Sequence, residues 1–151
     1  ATFYADCIPI YLFDPGQRVV AIAHSGWKGT MGRIAIQTLR IMQKKFGCSP
    51  QNTEVLIGPG IGSCCFQIGQ DLAKQVKEEF PRLDGILKLE LGECTWDLPL
   101  TNRLMLQDNG IRPENIIDCG LCTSCNPEVF FSYRREEGET GRMAAVIGLN
   151  Y

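Results

Sequence analysis

Apolar and polar positions change rhythm several times along the chain, and each change marks an element. Residues 7–13 (Cys-Ile-Pro-Ile-Tyr-Leu-Phe) and 18–23 (Arg-Val-Val-Ala-Ile-Ala) are dense in branched and aromatic side chains. Asp14-Pro15-Gly16 between them is a turn signal, so 7–23 is predicted to be a hairpin, with His24 at its exit. Apolar residues then recur at helical spacing at Met31, Ile34, Ala35, Leu39, Met42 and Phe46. This predicts a helix that Thr30 caps and that Lys44, Lys45 and Gly47 end. Glu54–Ile57 reads as a strand running into the glycine-rich Gly58-Pro59-Gly60-Ile61-Gly62. A helix is predicted over 71–80, with Leu72, Ala73, Val76 and Phe80 inward and Pro81 as its stop. Residues 86–96 hold one or two weaker strands, and Asp97 caps a helix over 99–109 that Gly110 terminates. Ile116–Cys119 is a short strand, and 130–134 with 143–149 predict a final hairpin across a charged, glycine-containing loop. Strands and helices mix without strict alternation.

Composition narrows the class. The 151 residues suit one domain, and 44% hydrophobic with 21% charged residues is the make-up of an ordinary globule. Fifteen Lys and Arg against seventeen Asp and Glu leave a net charge of −2 with no basic block, which argues against nucleic acid or an anionic membrane as partner. No apolar run approaches the roughly 20 residues of a membrane helix and no signal-peptide pattern opens the chain, so a cytoplasmic location is expected. The strand-like residues directly after Ala1 give the expectation that the chain begins inside a fold. Cysteines stand at 7, 48, 64, 65, 94, 119, 122 and 125; in a reducing compartment free thiols are expected, with metal-bound thiolates as the alternative. Cys119, Cys122 and Cys125 have the two-residue spacing of thiolate clusters, and a fourth cysteine elsewhere would complete an iron–sulfur or four-thiolate zinc site. The Cys-Pro continuation of a ferredoxin is absent, since Asn126 follows Cys125, so small thiols lining a strand end are the plainer reading. The glycine-rich segment lacks the features of a P-loop and of a dinucleotide fingerprint, which excludes nucleotide binding by those two routes.

His24 is the one histidine, and it lies across the predicted hairpin from Cys7. The motifs around both are Tyr4-Ala5-Asp6-Cys7 with Ile8-Pro9, and His24-Ser25-Gly26-Trp27-Lys28-Gly29. Further along come Ile57 to Phe66 with its Cys64-Cys65 pair, Asn102-Arg103, Cys122-Thr123, Phe130-Phe131-Ser132-Tyr133-Arg134-Arg135, and Gly141-Arg142-Met143-Ala144-Ala145. In this order, over nearly the whole chain, they resemble the bacterial laccase-domain proteins, a family named polyphenol oxidase and described as zinc-dependent purine nucleoside phosphorylases.

The resemblance implies an α+β fold of mixed β-sheets layered between helices, an α/β/β/α-like arrangement. It implies zinc held by two histidines and a cysteine, with Cys7 and His24 matching the cysteine and the second histidine. The first histidine belongs to an N-terminal segment that this chain is expected to lack, so weak metal affinity and little activity are expected without that segment. Three protein ligands leave a position open for chemistry. Multicopper oxidase chemistry would need many histidines, against the one present. The implied substrates are phosphate and a purine nucleoside such as adenosine, inosine, guanosine or methylthioadenosine, with adenosine deamination as a further activity. Arg134, Arg135 and Arg142 are candidate phosphate ligands, joined by Lys28 where the family commonly has arginine. Asp6 is a candidate acid–base or ligand-orienting group, Trp27 and Phe66 are candidates for stacking on the purine, and Cys64 and Cys65 for lining the pocket without holding metal. For Asn102 and Arg103 a capping or salt-bridging role is at least as well supported as substrate contact. Two other readings compete: a thiol hydrolase or deamidase using Cys7 as nucleophile and His24 as base, and a non-enzymatic zinc-binding module.

Overall fold

The computed structural model describes residues 1–150. In chain order the elements are β1 (Thr2–Tyr4), β2 (Ile8–Asp14), β3 (Val19–Ser25), α1 (Trp27–Met31), α2 (Ile34–Phe46), β4 (Glu54–Ile57) and β5 (Gln67–Ile68). There follow α3 (Gln70–Glu79), β6 (Leu87–Glu90), β7 (Glu93–Trp96), α4 (Leu98–Asp108), a 3₁₀ turn (Pro113–Asn115), β8 (Ile116–Asp118) and β9 (Met143–Ala145). The fold is α+β, as the resemblance implies. The hairpin of β2 and β3 is antiparallel, β4 joins the free side of β2 antiparallel, and β8 joins β4 parallel, giving the order β3-β2-β4-β8. A smaller sheet has the order β5-β7-β6, and β1 pairs with β9. Among the described residues no helix is long and apolar enough to cross a membrane.

The core lies between the larger sheet and the helices. Ile8, Ile10 and Leu12 of β2 meet Ala35, Ile36, Leu39 and Met42 of α2 and Leu98, Met105 and Leu106 of α4, all buried. Alternation along β2 and the helical spacing along α2 put these residues on the covered faces. Trp96 is fully buried, its indole N–H satisfied by Thr101 Oγ1 at 2.9 Å, with Phe66 and Phe80 against its ring. Asp97 caps α4 as expected, its carboxylate accepting the Leu100 amide at 2.9 Å.

Two expectations are corrected. The helix predicted from Thr30 is divided: Gly32 ends α1, and Arg33 sits in the left-handed region at φ 54 before α2 begins. Tertiary partners hold that conformation, because the Arg33 guanidinium reaches the Glu79 carboxylate at 2.9 Å and the Glu79 carbonyl at 3.0 Å. Thr30 therefore lies inside α1, and its hydroxyl serves a buried network instead of a cap. Asn102 Nδ2 donates to Thr30 Oγ1 at 3.1 Å and to the Leu98 carbonyl at 2.9 Å, while Ser25 Oγ donates to Asn102 Oδ1 at 3.1 Å. The second correction concerns the final hairpin. Residues 130–132 are irregular and 133–134 open a turn, while β9, shorter than predicted, pairs with β1. Side chains and turns capture the backbone donors that a strand would need: Asn126 O takes the Phe130 amide, Asp6 the Arg134 amide and Ser132 Oγ the Arg135 amide.

Asp14, at the tip of the hairpin, is buried and accepts the amides of Gln17 and Ser49 at 2.9 Å each. Burial alone would raise its pKa, but these amides and that of Gly16 outweigh it and hold the carboxyl below the ordinary aspartate range. A native pKa below the unfolded one contributes stability that is complete above about pH 4 and is lost as the pH falls through the native value. Asp14→Asn is expected to destabilise the fold by about 1.5–3 kcal/mol at pH 7. Thermal melting from pH 7 down to pH 2 checks this: the gap between the two proteins should close at the acid end.

Candidate active site

The hairpin register brings Cys7 and His24 to one end of the sheet. Ile8 is paired with Ser25 and Pro9 with His24, so Cys7, one residue before β2, stands beside the exit of β3. Both line a pocket of about 400 Å³, together with Asp6, Trp27, Phe66, Arg134 and Arg142. Gly26 permits the close approach of its turn, since a Cβ there would lie 2.6 Å from Cys7 Sγ. The Tyr4 ring meets His24 edge-on, with centroids 6.4 Å apart. Burial pushes the Tyr4 phenol up to about 12, so it stays protonated in the pocket wall. Burial, followed by the neighbouring Asp6 carboxylate, also pushes the Cys7 thiol up, while Arg142 pulls the other way.

Asp6 knits the pocket floor. It is buried and adopts a left-handed φ of 80°, rare for a residue other than glycine. One carboxylate oxygen accepts the Thr123 hydroxyl at 2.6 Å and the other the Arg134 amide at 2.7 Å. Its carbonyl accepts the Ile61 amide at 2.8 Å, and Gly60 packs so closely that a Cβ there would meet that carbonyl at 3.1 Å. Three segments distant in sequence from it are thus fixed around one residue.

The cations divide. The Arg134 guanidinium lies over the Phe66 ring at 5.2 Å and uses one nitrogen on the carbonyls of Cys65 and Gln67, and the residue lines the pocket. Arg142 likewise uses one nitrogen on the Thr140 and Gly141 carbonyls and stands 6.0 Å from the Tyr133 ring. Arg135 is not part of the lining: its guanidinium donates to the carbonyls of Thr123, Ser124 and Phe130 and pairs with Glu136, bracing the loop behind the pocket. Lys28 is also outside the lining, its ammonium 5.4 Å from the Trp27 ring. Cys64 and Cys65 do not line the pocket either, contrary to expectation. Asn102 is committed to the buried network that joins α1, β3 and α4.

The sequence reading passed over Phe3 and Tyr133, which expose aromatic surface at the mouth, as does Trp27. Exposed aromatic rings gathered on a concave site are the signal that finds them, and it is visible only once the chain is folded. A larger concavity of about 680 Å³ on the outer side of β2, β4 and β8 is lined by residues including Leu56, Ile117 and Val146, with no histidine, cysteine or cation among its lining residues.

The comparisons with known proteins place the chain in a family. The family described as "Multi-copper polyphenol oxidoreductase laccase" matches residues 1–150. The chain is 34% identical over 151 residues to "Purine nucleoside phosphorylase YlmD" of Bacillus subtilis, covering 99% of this chain and 54% of that protein. It is 34% identical over 140 residues to "Adenosine deaminase RL5" of an unknown prokaryotic organism, covering 91% of this chain and 53% of that protein. The crystal structure of YlmD from Geobacillus stearothermophilus superposes with a TM-score of 0.82 at 36% identity, over 93% of this chain and 53% of that one. The chain thus spans about half the length of the relatives it matches, and it belongs to the multi-copper polyphenol oxidoreductase laccase family.

Proposed function

We propose that the pocket of Cys7 and His24 is the metal- and substrate-binding face of a zinc-dependent purine nucleoside phosphorylase. Its substrates are adenosine, inosine, guanosine or methylthioadenosine, and adenosine deamination is a secondary activity. The observation that carries this reading is the meeting of a thiol, an imidazole, two arginines and exposed aromatic rings in one pocket.

The donor set fits zinc, because thiolate and imidazole are its preferred protein ligands. Gly26 leaves the sulfur open to approach. The third ligand is the histidine that the family resemblance puts outside this chain. Zinc held by Cys7 and His24 would supply a Lewis acid in the pocket. The residues of the chain do the rest. Arg134 and Arg142 hold phosphate through charge-assisted hydrogen bonds, and Trp27, Phe3 and Tyr133 take the flat purine. Phosphate oxygen bonds to the anomeric carbon as the glycosidic bond breaks; the bonding pair leaves with the purine, which takes up a proton from water. Asp6 acts by position, since both its oxygens are engaged in holding Thr123 and Arg134.

The test is phosphate-dependent release of adenine and ribose 1-phosphate from adenosine, on a polypeptide joining this chain to the N-terminal segment that the family resemblance implies. Arg142→Ala is expected to raise KM for phosphate roughly 10- to 100-fold, the loss of one charge-assisted contact, with KM for adenosine little changed. Adenine release that is independent of phosphate would contradict the proposal.

A further inference from the structure

A second group of metal-ligating side chains lies apart from the pocket, at the junction of two loops. The Sγ atoms of Cys64, Cys65, Cys122 and Cys125 all lie within 4.8 Å of one another. Cys125 Sγ is 3.5 Å from Cys64 Sγ and 3.4 Å from Cys65 Sγ, and all eight cysteines of the chain are unbridged. Four sulfurs placed 2.3 Å from a central ion at tetrahedral angles stand about 3.8 Å apart, a separation inside the range here, where two pairs lie at 3.4 and 3.5 Å and none exceeds 4.8 Å. An iron–sulfur cluster sets sulfide and further iron between its thiolates and spreads them more widely, so the spacing selects a single ion.

The surroundings are those of a built thiolate site. The Gly62 amide donates to Cys122 Sγ at 3.3 Å. Gly62 itself leaves room for the sulfurs, because a Cβ there would stand 3.2 Å from Cys64 Sγ and 3.6 Å from Cys122 Sγ. The Cys122 carbonyl accepts Asn126 Nδ2 at 2.8 Å, which fixes the turn that presents Cys125. The backbones of the two loops already meet at a parallel bridge between Gly60 and Cys122, and the Thr123 amide donates to Gly60 O at 2.9 Å. Four convergent thiols with an inward amide match the ligand type and count of a closed structural site, whereas a catalytic site keeps a position open.

We infer that Cys64, Cys65, Cys122 and Cys125 bind one tetrahedral zinc ion that staples the glycine-rich loop to the loop after β8. The staple sits directly behind the active-site wall. Phe66 follows Cys65 in the chain, and Arg134 holds the Cys65 carbonyl, so the ion stiffens the platform that aims Arg134. This site is independent of zinc at Cys7 and His24.

The test is an anaerobic titration of the reduced, metal-stripped chain with Co²⁺ and then Zn²⁺, read by absorption. The expected result is one Co²⁺ per chain with the sulfur charge-transfer and ligand-field bands of a tetrahedral tetrathiolate, bleached by one equivalent of Zn²⁺. Cys64→Ser and Cys125→Ser, both at exposed positions, should change the bands to those of three thiolates and weaken binding by roughly a hundredfold. Cys7→Ala should leave the bands as they are. The unmodified chain supplies its own readout should a variant fold poorly: absence of tetrathiolate bands in it overturns the inference. Bands that vanish in Cys7→Ala but persist in Cys125→Ser overturn it, as does a mass two hydrogens lighter under reducing conditions, the mark of a disulfide.

Discussion

Cys7→Ala and His24→Ala are each expected to lower phosphorolysis of adenosine by roughly a thousandfold or more, the equivalent of the several kcal/mol a Lewis acid contributes. The two losses should not add, because either substitution removes the same ion. Gly26→Ala should act in the same direction with no loss of a ligand, since its methyl would stand 2.6 Å from Cys7 Sγ. The assay is initial-rate adenine release with the zinc content of each protein measured alongside. A zinc-bound sulfur is also shielded, so iodoacetamide should label Cys7 only after chelation. Labelling at equal rates with and without chelator would favour the thiol hydrolase, and retention of full activity in Cys7→Ala would remove the sulfur from the mechanism.

Asn102→Leu is expected to destabilise the fold by about 3 kcal/mol, the cost of stranding buried partners of a hydrogen-bonded amide. The physical reason is the fully buried position of Asn102 among Ser25, Thr30 and the Leu98 carbonyl, where no water can replace the amide. Ser25 and Thr30 would still bond each other at 3.0 Å, which limits the loss. For a chain of this size about 3 kcal/mol corresponds to a fall in Tm of roughly 6–12 °C. Ser25 immediately follows His24, so the substitution should also loosen the imidazole and lower activity. Differential scanning calorimetry reads the first effect. An unchanged Tm would show the network to be dispensable.

What the sequence made legible was whatever rests on local chemistry. The turn at 14–16, the Asp97 cap and the Gly47 end of α2 each depend on residues adjacent in the chain, and each is found in the fold. The failures lie where distant groups override local preference. Arg33 looks like a helix interior residue, yet Glu79 and Phe80 hold it in a left-handed bend. Residues 130–134 look like a strand, but their amides are captured by Asp6, Asn126 and neighbouring turns. The same limit applies to the site. The motifs point to Cys7 and His24, whereas nothing local separates Arg134, at the pocket, from Arg135, whose guanidinium is committed to three carbonyls. The two-residue spacing of Cys122 and Cys125 hints at thiolate chemistry, but its partners stand about sixty residues earlier.

The central claim is that Cys7 and His24 share one zinc ion beside the arginines that receive phosphate. A crystal structure of the zinc-loaded polypeptide in phosphate, with diffraction recorded on both sides of the zinc absorption edge, tests it most directly. The predicted result is an anomalous peak within bonding distance of Cys7 Sγ and a His24 ring nitrogen, with phosphate between that peak and the Arg134 and Arg142 guanidinium groups. Zinc seen only among Cys64, Cys65, Cys122 and Cys125, or phosphate bound away from both arginines, would contradict it.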